Sequence, residues 1–309
     1  MRIIFMGNPE FAVPSLKCLV QSDYDVTAVM TNPPKQMGRG NKERRSSIDA
    51  QASELNIPVI HAGLLDAPAL INQLKKLTPE LFVIVAYRIL PKILLEIPSI
   101  GSVNLHGSLL PAYRGAAPIQ RAIMNGDKMT GLTTFLLKPS VDTGDILHQK
   151  IVKIQPDDTY GILSEKMSLI GSDLLLKTIK NFLGKNIIPM VQDNSIATTA
   201  PKIQSAERII NWKDNAVNIA NRIRGLNPKP VAHTTLESKW LKIFHASTEN
   251  GTHKSAPATV IERTKTKLLV QTGEGGLSIL SLQREGKNQM DIQEFLRGTS
   301  IKEGDRLGT

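Results

Sequence analysis

The residues best suited to chemistry stand together in Asn104-Leu105-His106-Gly107-Ser108-Leu109-Leu110-Pro111, followed by Ala112-Tyr113-Arg114-Gly115. Asn104 and His106 are two positions apart in a segment that reads as the end of a strand, so their side chains share one face. That arrangement aims an amide donor and an imidazole at one substrate atom. Gly107 lets a ligand approach the backbone closely, and Pro111 closes the turn. Far along the chain, Asp142 lies in Val141-Asp142-Thr143-Gly144-Asp145, a loop expected to border the same sheet edge. Together the three suit acyl transfer. The amide and a protonated imidazole stabilise a developing oxyanion, while the carboxylate tunes the imidazole and helps remove an amine proton. Each also has a plainer reading. A histidine at a strand end serves packing, and the aspartate of Asp-Thr-Gly-Asp is an ordinary turn residue.

These groups need a frame, and the first 120 residues supply one by alternating strand and helix patterns, the mark of a doubly wound α/β sheet. Strands are expected at Arg2 to Met6, Val26 to Thr31, Pro58 to Ile60, Leu81 to Tyr87 and Ser102 to Leu105. Helices are expected from the turn at Gly7-Asn8-Pro9-Glu10, with Asn8 as cap, near Ile48 to Leu55, and over Leu64 to Leu77. Met129 to Leu137 and Ile146 to Ile154 read as further strands. Tyr160 to Phe182 reads as one long amphipathic helix. A polar stretch breaks periodicity from Pro189, so the expected division is a catalytic domain over 1–188, a linker over 189–205 and a second domain over 206–309. The second domain opens with a helix at Ala216 to Arg224. Short strands then follow near 231–235, 240–245, 258–261, 267–271 and 277–282, and Met290 to Leu296 reads as a short helix. This spacing predicts a small OB-like β-barrel.

Composition bounds the rest. A chain of 309 residues, 41% hydrophobic and 21% charged, is globular and long enough for two domains. No apolar run approaches the roughly 20 residues that cross a bilayer, and the first residues lack a signal-peptide pattern. One cysteine, Cys18, excludes an internal disulfide and a cysteine-rich metal site, which points to the cytoplasm. Lys and Arg outnumber Asp and Glu by 38 to 28, giving +10, and such a charge draws polyanions. Residues 32–47 form a basic, glycine-interrupted loop in which Lys35, Arg39, Lys42, Arg44 and Arg45 can grip phosphates; a solvated charged loop is the plainer reading. The first turn lacks G-x-G-x-x-G, which leaves a dinucleotide-dependent dehydrogenase little support.

Gly7 to Phe11, Asn104 to Pro111, Tyr113 to Ile119 and Asp142 to Asp145 resemble, in order and distance, the folate-dependent formyltransferase family. The resemblance covers almost the whole chain and is to the branch that formylates methionine on initiator tRNA for translation initiation. It implies an active-site trio of Asn104, His106 and Asp142. It also implies folate contacts at Ser108, Leu109, Leu110 and Pro111, and a pterin pocket bordered by the strand end near Val85 to Leu90. The donor would be 10-formyltetrahydrofolate as co-substrate, with no permanently bound cofactor and no metal. The basic loop would enter the acceptor-stem region of the tRNA. The second domain would lie on the tRNA side, with Lys202, Arg222 and Arg224 as backbone contacts, although the two arginines serve equally to pack or cap the helix they end. A monomer with no membrane partner is expected. The closest rival is a family member acting on an amino-sugar nucleotide. The chain departs from the family pattern at Gly107, at Tyr87-Arg88, at Lys229 in Asn227-Pro228-Lys229-Pro230, and at Asn8 in place of threonine.

Overall fold

Parallel sheets are covered on both faces, so their strands read as unbroken apolar runs. The computed structural model, which describes residues 1–37, 42–251 and 254–308, places such runs at the centre of its first sheet. In chain order the first elements are β1 (Arg2–Gly7), α1 (Val13–Val20), β2 (Asp25–Thr31), β3 (Lys35–Met37) and β4 (Lys42–Arg44). Then come α2 (Ser47–Glu54), β5 (Val59–His61), α3 (Pro68–Lys76), β6 (Leu81–Val85), α4 (Lys92–Leu95) and β7 (Gly101–His106). They are followed by α5 (Pro118–Met124), β8 (Met129–Leu136), β9 (Ile146–Lys153) and α6 (Tyr160–Leu183).

The seven-stranded sheet has the order β5-β2-β1-β6-β7-β8-β9. Strand β1 pairs in parallel with both β2 and β6, and β8 runs antiparallel to β7. The chain moves outward from β1 to β2 and β5, then returns to β6 on the other side. The switch point therefore lies between β1 and β6, where open α/β sheets form a crevice at the carboxyl ends of their strands. Phe5 of β1 and Phe82 of β6 are fully buried there, each contributing roughly 1.5–3 kcal/mol by leaving water. Asn8 does not cap the first helix. Its Oδ1 instead accepts from Thr31 Oγ1 and from the Asn32 amide, both at 3.0 Å, so it ties the end of β1 to the end of β2.

The remaining elements are α7 (Ala216–Gly225), β10 (Ala232–Leu236), β11 (Lys239–Glu249), β12 (Val260–Arg263), β13 (Leu268–Gln271), β14 (Gly276–Arg284), β15 (Gln289–Asp291) and α8 (Ile292–Arg297). They form an antiparallel sheet in the order β10-β11-β14-β13-β12, with β15 alongside β14, over a core that includes Trp212, Ile223, Ile243, Leu282 and Phe295. Among the described residues no ladder joins β10 to β12, so the sheet is open where a closed OB-like barrel was expected.

By contact density the chain divides into two units that are not contiguous in sequence. The first takes in 1–116, 130–153 and 164–200; the second takes in 117–129, 154–163 and 201–309. Two short segments within the expected first domain thus pack with the C-terminal part. Gly225 leaves room for Met124 of α5, and a Cβ there would lie 2.7 Å from Met124 Cγ. Arg224 holds the other segment through the carbonyls of Gln155, Pro156 and Asp158. Most of the expected linker, up to Ala200, belongs to the first unit.

Candidate active site

The site is built at the end of β7. Asn104 and His106 alternate with Val103 and Leu105, and Val103 and Leu105 are buried. His106, the last residue of the strand, is only 7% exposed. Its Nε2 lies 2.9 Å from the Tyr113 carbonyl oxygen, which can only accept, so that nitrogen carries a hydrogen. Phe135 of β8 stands edge-on to the imidazole at 6.5 Å. Asn104 is partly exposed, and its amide makes no hydrogen bond among the described residues, so both of its polar atoms remain for a ligand.

Asp142 reaches this point by an indirect path. Leu136, the end of β8, pairs with Val103, so the chain leaves the sheet about 10 Å before the level of His106. The loop after β8 must fold back along the sheet. Three contacts make it do so. The Gly115 amide donates to Asp142 Oδ2 at 2.7 Å. Gln192 Nε2 donates to the carbonyls of Asp142, at 2.9 Å, and Gly144, at 2.7 Å. Gly144 lies against β8 so closely that a Cβ would sit 1.5 Å from the Leu136 carbonyl oxygen. The result brings Asp142 Oδ2 to 3.7 Å from His106 Nδ1, with both side chains about one-tenth exposed. Each imidazole nitrogen therefore faces an oxygen, one within hydrogen-bond distance and one farther off.

The turn between His106 and Gly115 is held from three sides. Thr133 Oγ1 donates to the Ser108 carbonyl and accepts from the Leu110 amide. Gln149 Nε2 donates to the Leu110 carbonyl at 2.8 Å. Residues 198–200 lie beside 111–114 in an isolated parallel bridge, with the Arg114 amide on the Thr198 carbonyl and the Ala200 amide on the Arg114 carbonyl. Gly115 has φ +127°, and a Cβ there would lie 2.7 Å from the Ala200 carbonyl oxygen. Arg114 closes the arrangement by donating through Nε and Nη2 to Gln192 Oε1. One glutamine thus clamps the Asp142 loop to the His106 turn. Sequence reading missed Arg114, Thr133, Gln149 and Gln192, since their roles depend on contacts 16 to 80 positions apart.

The sequence profile of the formyl transferase family matches residues 1–179, and the profile of the formyl transferase C-terminal domain matches residues 202–300. The chain belongs to the formyl transferase family. It is 43% identical to the methionyl-tRNA formyltransferase of Caldanaerobacter subterraneus subsp. tengcongensis, over 99% of this chain and all of that one. It is 40% identical to the methionyl-tRNA formyltransferase of Pelotomaculum thermopropionicum, over the whole chain and 99% of the relative. The crystal structure of the sugar 3N-formyl transferase WlaRD shares the fold, with TM-score 0.67 and 20% identity over 93% of this chain and 99% of that one.

The expected folate contacts divide in two. Ser108 and Leu110 are buried; Ser108 Oγ donates to the Ala112 carbonyl at 2.6 Å, and Leu110 packs with Phe135 and Ile146. Leu109 and Pro111 are half-buried and remain open to a ligand. At the end of β6, Ala86 has φ +49°, which ends the strand two residues earlier than expected. Arg88, a departure from the family pattern, donates to the carbonyls of Ala62 and Gly63 and to the Tyr87 hydroxyl, and its guanidinium lies over the Tyr87 ring. It ties the end of β6 to the end of β5.

Of the basic-loop residues, Lys35 and Arg44 are exposed on the antiparallel strand pair β3-β4. Arg39 lies outside the described residues, and Lys42 is described in its backbone alone. Arg45 is drawn onto the helix that follows it, pairing with Asp49 and donating to Ser53 Oγ. Asp49 is a fully buried carboxylate that His61 Nε2 also meets, at 2.9 Å. Burial alone would raise this carboxyl, but the hydrogen bonds from Arg45 and His61 outweigh it and hold it below the ordinary carboxylate value. In the C-terminal unit Lys202 is exposed. Arg222 meets Asp214 at 3.6 Å and the Glu207 carbonyl, and burial presses the Arg224 guanidinium below its usual value. Both arginines have structural partners. Cys18 is half-buried, and burial followed by the nearby Asp173 raises its thiol, which suits an inert side chain.

Proposed function

We propose that this chain transfers the formyl group of 10-formyltetrahydrofolate to the amine of methionine on initiator tRNA, with Asn104, His106 and Asp142 as the reacting set. The observation that carries the reading is the free amide of Asn104 on the same strand face as an imidazole held beside Asp142. The methionyl nitrogen attacks the formyl carbon, and the carbonyl oxygen gains negative charge. The Asn104 amide donates to that oxyanion. The Nε2 hydrogen of His106 is engaged by Tyr113, whereas its Nδ1 edge is only loosely held at 3.7 Å and is the one available to substrate. Contacts of this kind tighten as the substrate binds. Asp142 accepts the proton from the attacking nitrogen, directly or through a water. The bond from the formyl carbon to N10 then breaks, and N10 takes up one proton, which balances the one lost by the amine. Leu109 and Pro111 border the folate, while Lys35 and Arg44, with Arg39 and Lys42, meet the acceptor end of the tRNA.

The full-length identity to methionyl-tRNA formyltransferases supports this acceptor over an amino-sugar nucleotide. The test is transfer of labelled formyl from 10-formyltetrahydrofolate to methionyl initiator tRNA, run beside an amino-sugar nucleotide. Label on the tRNA, lost in His106→Ala, is the expected result. Label on the sugar nucleotide alone overturns the acceptor while leaving the chemistry in place.

A further inference from the structure

A second feature lies in the C-terminal unit, on the hairpin β10-β11. His233 pairs with Lys242 and Thr235 with Trp240, so Trp240, Lys242 and His233 project from one face of the hairpin. The segment ending at Ile209 runs beside β10, with the Ile210 amide on the His233 carbonyl. Between the two is a solvent-open pocket of about 430 Å³, walled by Arg208, Ile209, His233, Trp240 and Lys242. That is within the range of about 300–1,000 Å³ typical of small-molecule sites.

Three properties of this pocket are hard to explain by packing. Trp240 is 50% exposed and Ile209 49% exposed, although both are large and apolar. Arg208 Nε is buried and has no hydrogen-bond partner among the described residues, a costly state for a guanidinium. Two cations face one space that holds no carboxylate. Their proximity registers on His233, whose imidazole is pushed below its usual value first by burial and then by Arg208, with Lys242 adding to the effect. The His233 ring meets Trp240 at 4.4 Å and 81°, which fixes the indole plane. A second, smaller pocket of about 200 Å³ shares Trp240 and Lys242 as walls and is lined further by Arg284 and Glu285, so a carboxylate lies on that side of Lys242.

We infer that this pocket receives one unpaired nucleotide of the RNA substrate, its base stacked on Trp240 and its phosphate against Arg208 and Lys242. The inference rests on the proposed tRNA acceptor. An exposed aromatic face beside paired cations is the usual platform for a single-stranded base. A guanidinium and an ammonium side by side on the pocket wall match a phosphate oxygen, and a neutral histidine leaves the apolar wall intact.

The chain has two tryptophans, and the other, Trp212, is buried and donates to Thr234 Oγ1. A change in tryptophan emission on binding therefore reports largely on Trp240. Titration of the full chain with initiator tRNA is expected to quench that emission saturably, and Trp240→Phe removes the response. Trp240→Ala should raise KM for methionyl initiator tRNA by about 5- to 150-fold, the range of one lost base stack, with the rise falling on KM rather than kcat. Trp240→Phe should recover most of it. Arg208→Gln and Lys242→Gln should each lower the slope of log binding constant against log salt by about 0.7. An unquenched Trp240 with wild-type KM and slope in these variants refutes the pocket. Quenching by thymidine diphosphate at lower concentration than by tRNA assigns the pocket to a free nucleotide and overturns the inference. Failure of the wild-type chain to formylate tRNA would instead overturn the acceptor, a result separable from the titration.

Discussion

Replacing Gln192 with methionine keeps the side-chain volume and removes four hydrogen bonds at once. Gln192 is 6% exposed. Its amide donates to the Asp142 and Gly144 carbonyls, and its oxygen accepts twice from Arg114. A net hydrogen bond contributes about 0.5–1.5 kcal/mol, and more when one partner is charged, but the two bonds from one guanidinium are not independent. The sum is about 2–4 kcal/mol, or a fall of roughly 4–16 °C in the melting temperature for a unit of this size. The kinetic effect should be sharper. Asp142 would lose the clamp that folds its loop back along β7, and a displacement near 1 Å lowers rate by about 100-fold. The assay pairs a thermal melt with single-turnover formyl transfer at saturating folate and tRNA. Gln192→Met should melt early and react slowly while tRNA affinity stays at the wild-type level. A variant with a normal melt and a normal single-turnover rate would show that the clamp does not position Asp142.

Other consequences follow from the same contacts. Gly144→Ala places a methyl group 1.5 Å from the Leu136 carbonyl oxygen, so the variant should lose several kcal/mol or fail to accumulate as folded protein, read by soluble yield and melting. Asp49→Asn tests the buried carboxylate under Arg45 and His61. A carboxyl held below its ordinary 3.8 stabilises the fold fully above that value and loses the effect as pH falls through the folded value, so the stability gap between wild type and variant should be full at neutral pH and close below about pH 4. A gap that is constant down to pH 2 would contradict the assignment. Arg224→Ala removes the tie to residues 155–158 and should lower the melting temperature while leaving the salt dependence of tRNA binding unchanged; a flatter salt slope would return Arg224 to the RNA-contacting set.

The frame of the first unit is legible because its strands are short apolar runs broken by turn residues. Arg2–Gly7, Asp25–Thr31 and Gly101–His106 fall within a residue or two of their expected limits. The shared face of Asn104 and His106 follows from strand periodicity. Asp142 was found as a loop residue, yet the reason it reaches His106 was hidden. Its strand leaves the sheet beside Val103, and the return path depends on Gln192, a residue in a polar stretch that periodicity marks only as linker. Asn8 looked like a helix cap because its type suits one; the backbone instead turned it toward Thr31. Short helices at Lys92–Leu95 and Pro118–Met124 gave too little periodic signal to be read. The barrel was inferred from strand spacing, which carries no information about which strands close.

The central claim is that Asn104 stabilises the developing oxyanion, and single-turnover formyl transfer by Asn104→Ala tests it most directly. Removal of one such donor is expected to slow the chemical step by about 100- to 1,000-fold. Dissociation constants for folate and tRNA, measured on the same preparation, should stay near wild type. A single-turnover rate within a fewfold of wild type, or a loss carried by weaker folate binding, would contradict the account.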